Sequence, residues 1–341
     1  MSNDAKDLSW LRIGGSPRDI GLALGQAGRA AVHRHLLATP VWQTVTAPRH
    51  APRIARMADA VRQRFPAIWA EIEGLAEGLG LPVAQVLAWN CRGDLLASAP
   101  DGCTSVLLPG ETAVLAHNED GLPYFHGQCF ICEARPDGAP AFRAFCYPGS
   151  IPGHTFAVTD AGLVQTVNNL RLTGVKADMP RMVLGRAVLG AATLEAALAI
   201  LRGSPNSGGF HFALAHVRDR RILSVEYGAG EVSVREIDRP AAHANHALHH
   251  AYGLDHQIVT QSSGDRQARG DALIAAGVVD PLAILRDEAG PGLPIRRAAA
   301  DDPDDENTLA TAVLRVGKTG IEWSIHDRRT GDAVYRGTVA R

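Results

Sequence analysis

A thiol follows a glycine in the run Asp101-Gly102-Cys103-Thr104-Ser105, and a strand-like stretch later comes Asn118-Glu119-Asp120. Glycine has no Cβ, so the Gly102 carbonyl is the least shielded target a neighbouring thiol could attack, and the backbone there reaches strained dihedrals at little cost. If the Cys103 sulfur attacks that carbonyl and the thioester is hydrolysed, the chain is cut and Cys103 becomes a new N-terminus. The thiol then carries its own base. A free α-amine titrates at roughly 7.7–8.0 and a thiol at about 8.5, so the two share a proton near neutrality without a histidine. Covalent linkage makes that transfer intramolecular.

Other residues fit around such a nucleophile. Asp120 reads either as a turn residue before Gly121 or as the carboxylate that orients and tunes the new amine, with Asn118 assisting. Asn245, between His243 and His246, reads as a loop asparagine or as an amide N–H aimed at the oxyanion of a tetrahedral intermediate. Asn168 and Asn169 lie at a strand end and offer a further donor or a substrate contact. His243, His246, His249, His250 and His256 invite a zinc reading. No His-Glu-x-x-His pattern is present and carboxylates are sparse in the tract, so no metal is expected. A solvated or substrate-lining loop, with His246 a substrate contact, is expected instead. Cys129 and Cys132 form a Cys-x-x-Cys inside a strand-like run, where they point to opposite faces and pack rather than exchange electrons. Arg171, Arg181, Arg186 and Arg266 are surface residues or grips for an anionic group.

In order and spacing these motifs resemble the penicillin acyltransferase family, the autoproteolytic cysteine N-terminal-nucleophile (Ntn) hydrolases also called peptidase family C45. The resemblance rests on Gly102-Cys103-Thr104-Ser105, Asn118-x-Asp120, Gly162-Leu163-Val164 leading to Asn168-Asn169, and His243-Ala244-Asn245-His246. It extends to Gly15-Ser16-Pro17-Arg18-Asp19-Ile20-Gly21 and Glu71-Ile72-Glu73-Gly74-Leu75-Ala76. It implies an α+β fold, the four-layer αββα sandwich, with Cys103, Asp120 and Asn245 catalytic. It also implies a mostly helical segment 1–102 released by self-cleavage, which stays associated with a catalytic segment 103–341 in one αββα unit. The expected activity is hydrolysis of amide bonds in small N-acylated amines or amino acid derivatives. The alternative is N-acyl transfer with a coenzyme A thioester as co-substrate; a metal-dependent or non-catalytic relative is the further one. No other cofactor is expected. One departure stands out. The family carries an arginine just before its penultimate Thr-Leu strand, whereas this chain has Asp305-Glu306-Asn307 before Thr308-Leu309, which argues against penicillin-nucleus chemistry in particular.

Composition sets the bounds. A chain of 341 residues can bury a large core. Its 34 basic and 36 acidic residues nearly cancel, and Asp301-Asp302-Pro303-Asp304-Asp305-Glu306 is the one like-charge block, so nucleic acid is not an expected partner. The polar start, the lack of a long apolar run and an odd count of 5 cysteines fit a cytoplasmic protein without membrane partners.

The positioning elements follow from periodicity. A strand-like opening and the turn at Gly14-Gly15-Ser16-Pro17 lead into a Gly- and Ala-rich helix. A helix from Pro52 to about Gly78 breaks near Pro66, and a short one covers Val83 to Asn90. Ser105–Leu108 and Thr112–Ala116 read as strands joined at Pro109-Gly110-Glu111, which puts Cys103 and Asp120 on adjacent strands. Further strands are expected at Phe130–Ala134, Phe142–Tyr147, Phe156–Thr159, Leu163–Val167, Phe210–Val217, Ile222–Tyr227, Val232–Ile237, Thr308–Arg315 and Ile321–His326. One helix is expected from Met179 to Leu201. Pro281 to Asn307 reads as a surface excursion or mobile loop. Strands and helices without regular alternation argue for layered sheets.

Overall fold

The computed structural model describes residues 7–98, 102–204 and 206–341; Met1 to Lys6 and Asp101, on which the expectations above draw, lie outside them. Strand β1 (Ser9–Gly15) opens the described chain, followed by helices α1 (Pro17–Ala31), α2 (Pro40–Val45), α3 (Ala51–Arg64), α4 (Pro66–Leu79), α5 (Val83–Asn90) and α6 (Arg92–Leu95). Then come β2 (Gly102–Leu108), β3 (Ala113–Gly121), β4 (Phe130–Pro136), β5 (Phe142–Cys146), β6 (Ala157–Thr159) and β7 (Leu163–Leu170). Helices α7 (Arg181–Val188) and α8 (Leu194–Arg202) precede β8 (Gly209–His216), β9 (Ile222–Gly228), β10 (Glu231–Ile237) and β11 (Ala241–His243). Last are α9 (Ala251–Asp255), α10 (Gln261–Ala275), α11 (Pro281–Leu285), β12 (Asn307–Val316), β13 (Gly320–His326) and β14 (Tyr335–Ala340).

The strands make two sheets. One has eight strands in the order β1-β4-β5-β6-β7-β8-β9-β10, the other six in the order β11-β2-β3-β12-β13-β14. Only the β1–β4 pairing is parallel among them. The sheets stack through β2 and β3 against β7 and β8. Helices α1 and α8 lie against the eight-stranded sheet, with α4 packed on α1; α10 and α11 cover β2, β3, β11 and β12 of the other. This is the αββα layering the resemblance implied.

Local chemistry explains the boundaries. Ser16 caps α1 in a reciprocal box with Asp19, and Pro17 supplies the fixed φ of a first turn. The expected break before Pro66 is real: Phe65 leaves helical geometry at φ −131° and ψ 60°. Gly21 and Gly25 of α1 lie against the backbone of α4, and Gly74 and Gly78 of α4 against that of α1, so a Cβ at any of the four would collide with main chain. The two helices therefore touch backbone to backbone.

The structure departs from the expected elements at several places, of which three bear on the site. The helix over 179–201 is two helices, because Gly190 ends the first and Thr193 caps the second. The Pro281–Asn307 segment is only in part a surface excursion: 288–292 and 298–301 are exposed, but Pro281, Ile284, Leu285, Ile295, Arg297, Asp302 and Glu306 are buried. Helix α10 has no counterpart among the expected helices. Its buried face is Ser262, Ser263, Arg266, Gln267 and Gly270, so it lacks the apolar period that announces a helix.

Candidate active site

Sheet alternation sorts the residues around Cys103 into two faces. The hairpin register pairs Gly102 with Asp120, Cys103 with Glu119, Thr104 with Asn118 and Ser105 with His117. On β2 and β3, Leu107 and Leu115 join the large core of the eight-stranded sheet, while Val106, Val114 and Ala116 join the cluster of Ile284, Leu285 and Ile295 under α11. Cys103, Ser105, His117 and Glu119 thus face the space between the sheets. Gly102, Thr104, Asn118 and Asp120 face the helical layer.

Cys103 is held by its backbone. Its N–H donates to Asn245 Oδ1 at 2.8 Å, and its carbonyl accepts from Arg266 Nη1. Arg266 also donates from Nη2 to Asn245 Oδ1 at 2.6 Å, from Nη1 to Thr104 Oγ1 at 2.9 Å and from Nε to Ser262 Oγ at 3.0 Å. A guanidinium only donates, so it fixes which end of the Asn245 amide faces Cys103. The expected orientation is reversed: the Asn245 Nδ2 group donates to the Asn169 carbonyl at 3.1 Å, and the oxygen points at the Cys103 nitrogen. Arg266 itself is fully buried rather than a surface residue.

The sulfur lies 3.7 Å from Glu119 Oε2, a residue absent from the sequence-derived candidates. Tyr147 donates its hydroxyl to Glu119 Oε1 at 2.8 Å, and His117 Nε2 lies 3.1 Å from Oε2. Burial, then the charge of Arg266, pushes His117 down to about 3, so its imidazole is neutral. From His117 Nδ1 the contacts continue to Ser105 Oγ at 2.9 Å, Asn168 Oδ1 at 2.8 Å, His211 at 3.1 Å, Ser224 at 3.0 Å and His249 at 2.9 Å. Cys103 is the head of a buried polar row between the sheets.

On the helical face, Asn118 lies away from Cys103: its Nδ2 donates to the Leu285 carbonyl at 2.7 Å and its Oδ1 accepts from Thr311 at 2.6 Å. Asp120 sits opposite Gly102 with Oδ1 accepting from Thr308 at 2.6 Å, and burial raises it above the usual carboxylate range. Glu306 lies against Gly102, where a Cβ would collide with its carboxylate. It bonds Arg171 at 3.1 Å, and burial pushes it up to about 7. Arg297, fully buried, binds Asp302 at 2.6 Å. The acidic block of the sequence is therefore partly folded beneath Gly102.

The remaining candidates are committed elsewhere. Asn168 donates to the His243 carbonyl at 3.1 Å, and Asn169 Oδ1 accepts from Arg181 at 2.6 Å. Arg186 pairs with Glu71 across α7 and α4. All four arginines are buried. His256 is exposed, but the tract from His243 to His250 is not a solvated loop: His243, 2.7 Å from Glu226, and the backbone N–H groups of Leu248 and His249 close on that carboxylate. Burial opposes its charge, yet the bond from His243 and the nearby imidazoles bring Glu226 down to about 2. His246 contacts Ser263 at 2.8 Å. The five cysteines are free thiols, and Cys129 and Cys132 are buried in the core.

A buried cysteine near the start of a strand thus lies between two stacked sheets, each covered by helices. The chain belongs to the acyl-coenzyme A:6-aminopenicillanic acid acyl-transferase family, whose model matches residues 107–330. The matched span starts just after Cys103 and does not include it. A curated relative, the beta-alanyl-dopamine/carcinine hydrolase of Drosophila melanogaster, is 22% identical over 215 residues, 55% of this chain and 55% of that protein. The chain thus spans about half the length of this relative. Similar solved structures include a mutant of conjugated bile acid hydrolase from Clostridium perfringens, at 12% identity, TM-score 0.42, over 69% of this chain and 96% of the other. Another is the Caenorhabditis elegans ortholog of N-acylethanolamine-hydrolyzing acid amidase, at 11% identity, TM-score 0.44, over 63% and 93%.

Proposed function

We propose that this chain cuts its own backbone between Gly102 and Cys103 and then hydrolyses amide bonds of small N-acylated amines or amino acid derivatives through a thioester on Cys103. The observation that carries the reading is the double hold on the Cys103 backbone, its nitrogen on Asn245 Oδ1 at 2.8 Å and its carbonyl on Arg266. Fixing both ends of the residue leaves only the side-chain rotamer to aim the sulfur.

In self-cleavage the Cys103 sulfur bonds to the Gly102 carbonyl carbon and the carbon–nitrogen bond breaks. The thiol proton passes to the nitrogen, which becomes the α-amine. Water hydrolyses the thioester, leaving a carboxylate on Gly102 and the thiol on Cys103. The mature amine takes the thiol proton when the sulfur attacks a substrate carbonyl, then gives it to the departing amine. Asn245 Oδ1 holds an N–H of that amine and so turns its lone pair toward the sulfur. Fragments 1–102 and 103–341 stay together because β1 is a strand of the eight-stranded sheet, paired along its length with β4.

The name of the Drosophila relative, a hydrolase of beta-alanyl-dopamine and carcinine, supports an N-acylated amine as substrate. The family description supports a second reading, in which an amine replaces water as acceptor and a coenzyme A thioester supplies the acyl group. Incubation with an N-acyl amine and a competing amine separates the two. Free acid as the main product supports hydrolysis, and new amide supports transfer. Turnover that persists in Cys103→Ala contradicts both.

A further inference from the structure

We propose that Cys103, His117 and Glu119 form an inhibitory site for a single divalent cation of the zinc type, which takes the thiol out of service until it is removed. Sγ, Nε2 and a carboxylate oxygen of these three buried residues lie within 4.8 Å of one another. Tetrahedral zinc, with bonds of about 2.3 Å to sulfur, 2.0–2.1 Å to nitrogen and 2.0–2.2 Å to oxygen, sets its ligand atoms roughly 3.3–3.6 Å apart. The separations here are 3.7 Å from Sγ to Glu119 Oε2 and 3.1 Å from His117 Nε2 to the same oxygen. One thiolate, one imidazole and one carboxylate are also the mixed set that suits zinc rather than calcium or magnesium.

The surrounding hydrogen bonds can accommodate such a cation. Asn168 Nδ2 donates to the His243 carbonyl, which turns Asn168 Oδ1 toward Ser105 as an acceptor. In one tautomer His117 Nδ1–H donates to Ser105 Oγ, 2.9 Å away, while the Ser105 hydroxyl donates to Asn168 Oδ1 at 2.8 Å. That tautomer, the one a bound cation requires, turns the Nε2 lone pair toward Glu119 Oε2 at 3.1 Å; in the other, Nε2–H donates to that oxygen. A cation bound by Nε2, Oε2 and Sγ would take the place of the protons that His117 and Cys103 can share with Glu119 and would select the Nδ1–H tautomer. The outer contacts then read as those of a metal site: Nδ1–H on a hydroxyl orients the imidazole, and Tyr147 holds the second oxygen of Glu119 at 2.8 Å. A cation there would block both attack on Gly102 and attack on substrate.

The test uses the full chain as purified, in both intact and cut forms. Cobalt(II) is added as an optical probe and zinc is titrated by calorimetry. The expected result is one equivalent bound, with a thiolate-to-cobalt charge-transfer band. Binding should be lost in His117→Ala and Glu119→Gln, weakened about 10–100-fold in Ser105→Ala and unchanged in His256→Ala. No sulfur charge-transfer band in the unmodified protein, or stoichiometric binding that survives both His117→Ala and Glu119→Gln, would overturn the site. Neither readout depends on turnover, so inactivity toward every amide tried would sink the proposed function and leave this result standing.

Discussion

The backbone N–H of Cys103 donates to Oδ1 of Asn245 at 2.8 Å, across 142 residues of sequence. Asn245 can take that part because Arg266 donates to the same oxygen and Asn169 accepts from its amide nitrogen. Asn245→Ala should remove the acceptor that orients the Cys103 nitrogen. A fall in kcat on the order of 10²-fold, with KM changed far less, is expected from steady-state kinetics, as for other groups that act at the reacting centre. Equal kcat in variant and parent would remove Asn245 from the mechanism.

Arg266 satisfies acceptors on Cys103, Thr104, Asn245 and Ser262 at once. Arg266→Met keeps most of the volume but strands several of them, each worth about 1–3 kcal/mol when buried without a partner. Denaturant unfolding should register a loss of about 3 kcal/mol or more. Arg266→Lys should recover only part of it, since a single ammonium cannot reproduce the fork. Full recovery by lysine would mean that the charge alone matters.

Gly102 has no room for a side chain because Glu306 lies against it. Gly102→Ala should slow self-cleavage and cost about 1–3 kcal/mol through overpacking. Adding Glu306→Ser should restore stability by clearing that contact. If the double variant is no more stable than Gly102→Ala alone, the restriction is conformational rather than steric.

His211 is buried between the sheets, bonded through Nδ1 to Asn168 and through Nε2 to Ser224, with its ring stacked on His243 at 3.5 Å. Burial, then the repulsion that a proton here would meet from the neighbouring imidazoles, His243 first, holds it well below the ordinary imidazole value. The unfolded chain therefore binds a proton that the folded chain refuses. The contribution is present above about pH 6.5, the unfolded value, and is lost as pH falls below it, at about 1.4 kcal/mol per pH unit. His211→Asn should lower stability at pH 7 but flatten its decline between pH 7 and 5 by about 2 kcal/mol. Parallel pH curves for parent and variant would contradict the assignment.

Much of this was legible in the residues. The thiol after Gly102 and the strand after it marked the candidate nucleophile. The helix break before Pro66 followed from proline sterics, and α5 runs over the residues its pattern indicated. What escaped depended on register or on polar burial. A hairpin turn at 109–111, with strands resuming at Thr112, sets His117 opposite Cys103; the real hairpin, with β3 starting at Ala113, sets Glu119 there. The same alternation carries Asn118 to the far face. Helix α10 and the 281–307 segment bury arginines and acids against one another, and a hydropathy pattern reads such residues as surface. The charge pairing that folds them inward is a tertiary fact.

Self-cleavage at Gly102–Cys103 is the claim on which the rest depends, and the intact and denatured mass of freshly purified protein, with N-terminal sequencing of each piece, tests it directly beside Cys103→Ala. Two fragments are predicted, the larger beginning at Cys103, and neither should appear in the variant. A single uncut chain that still turns over an amide would contradict the α-amine mechanism.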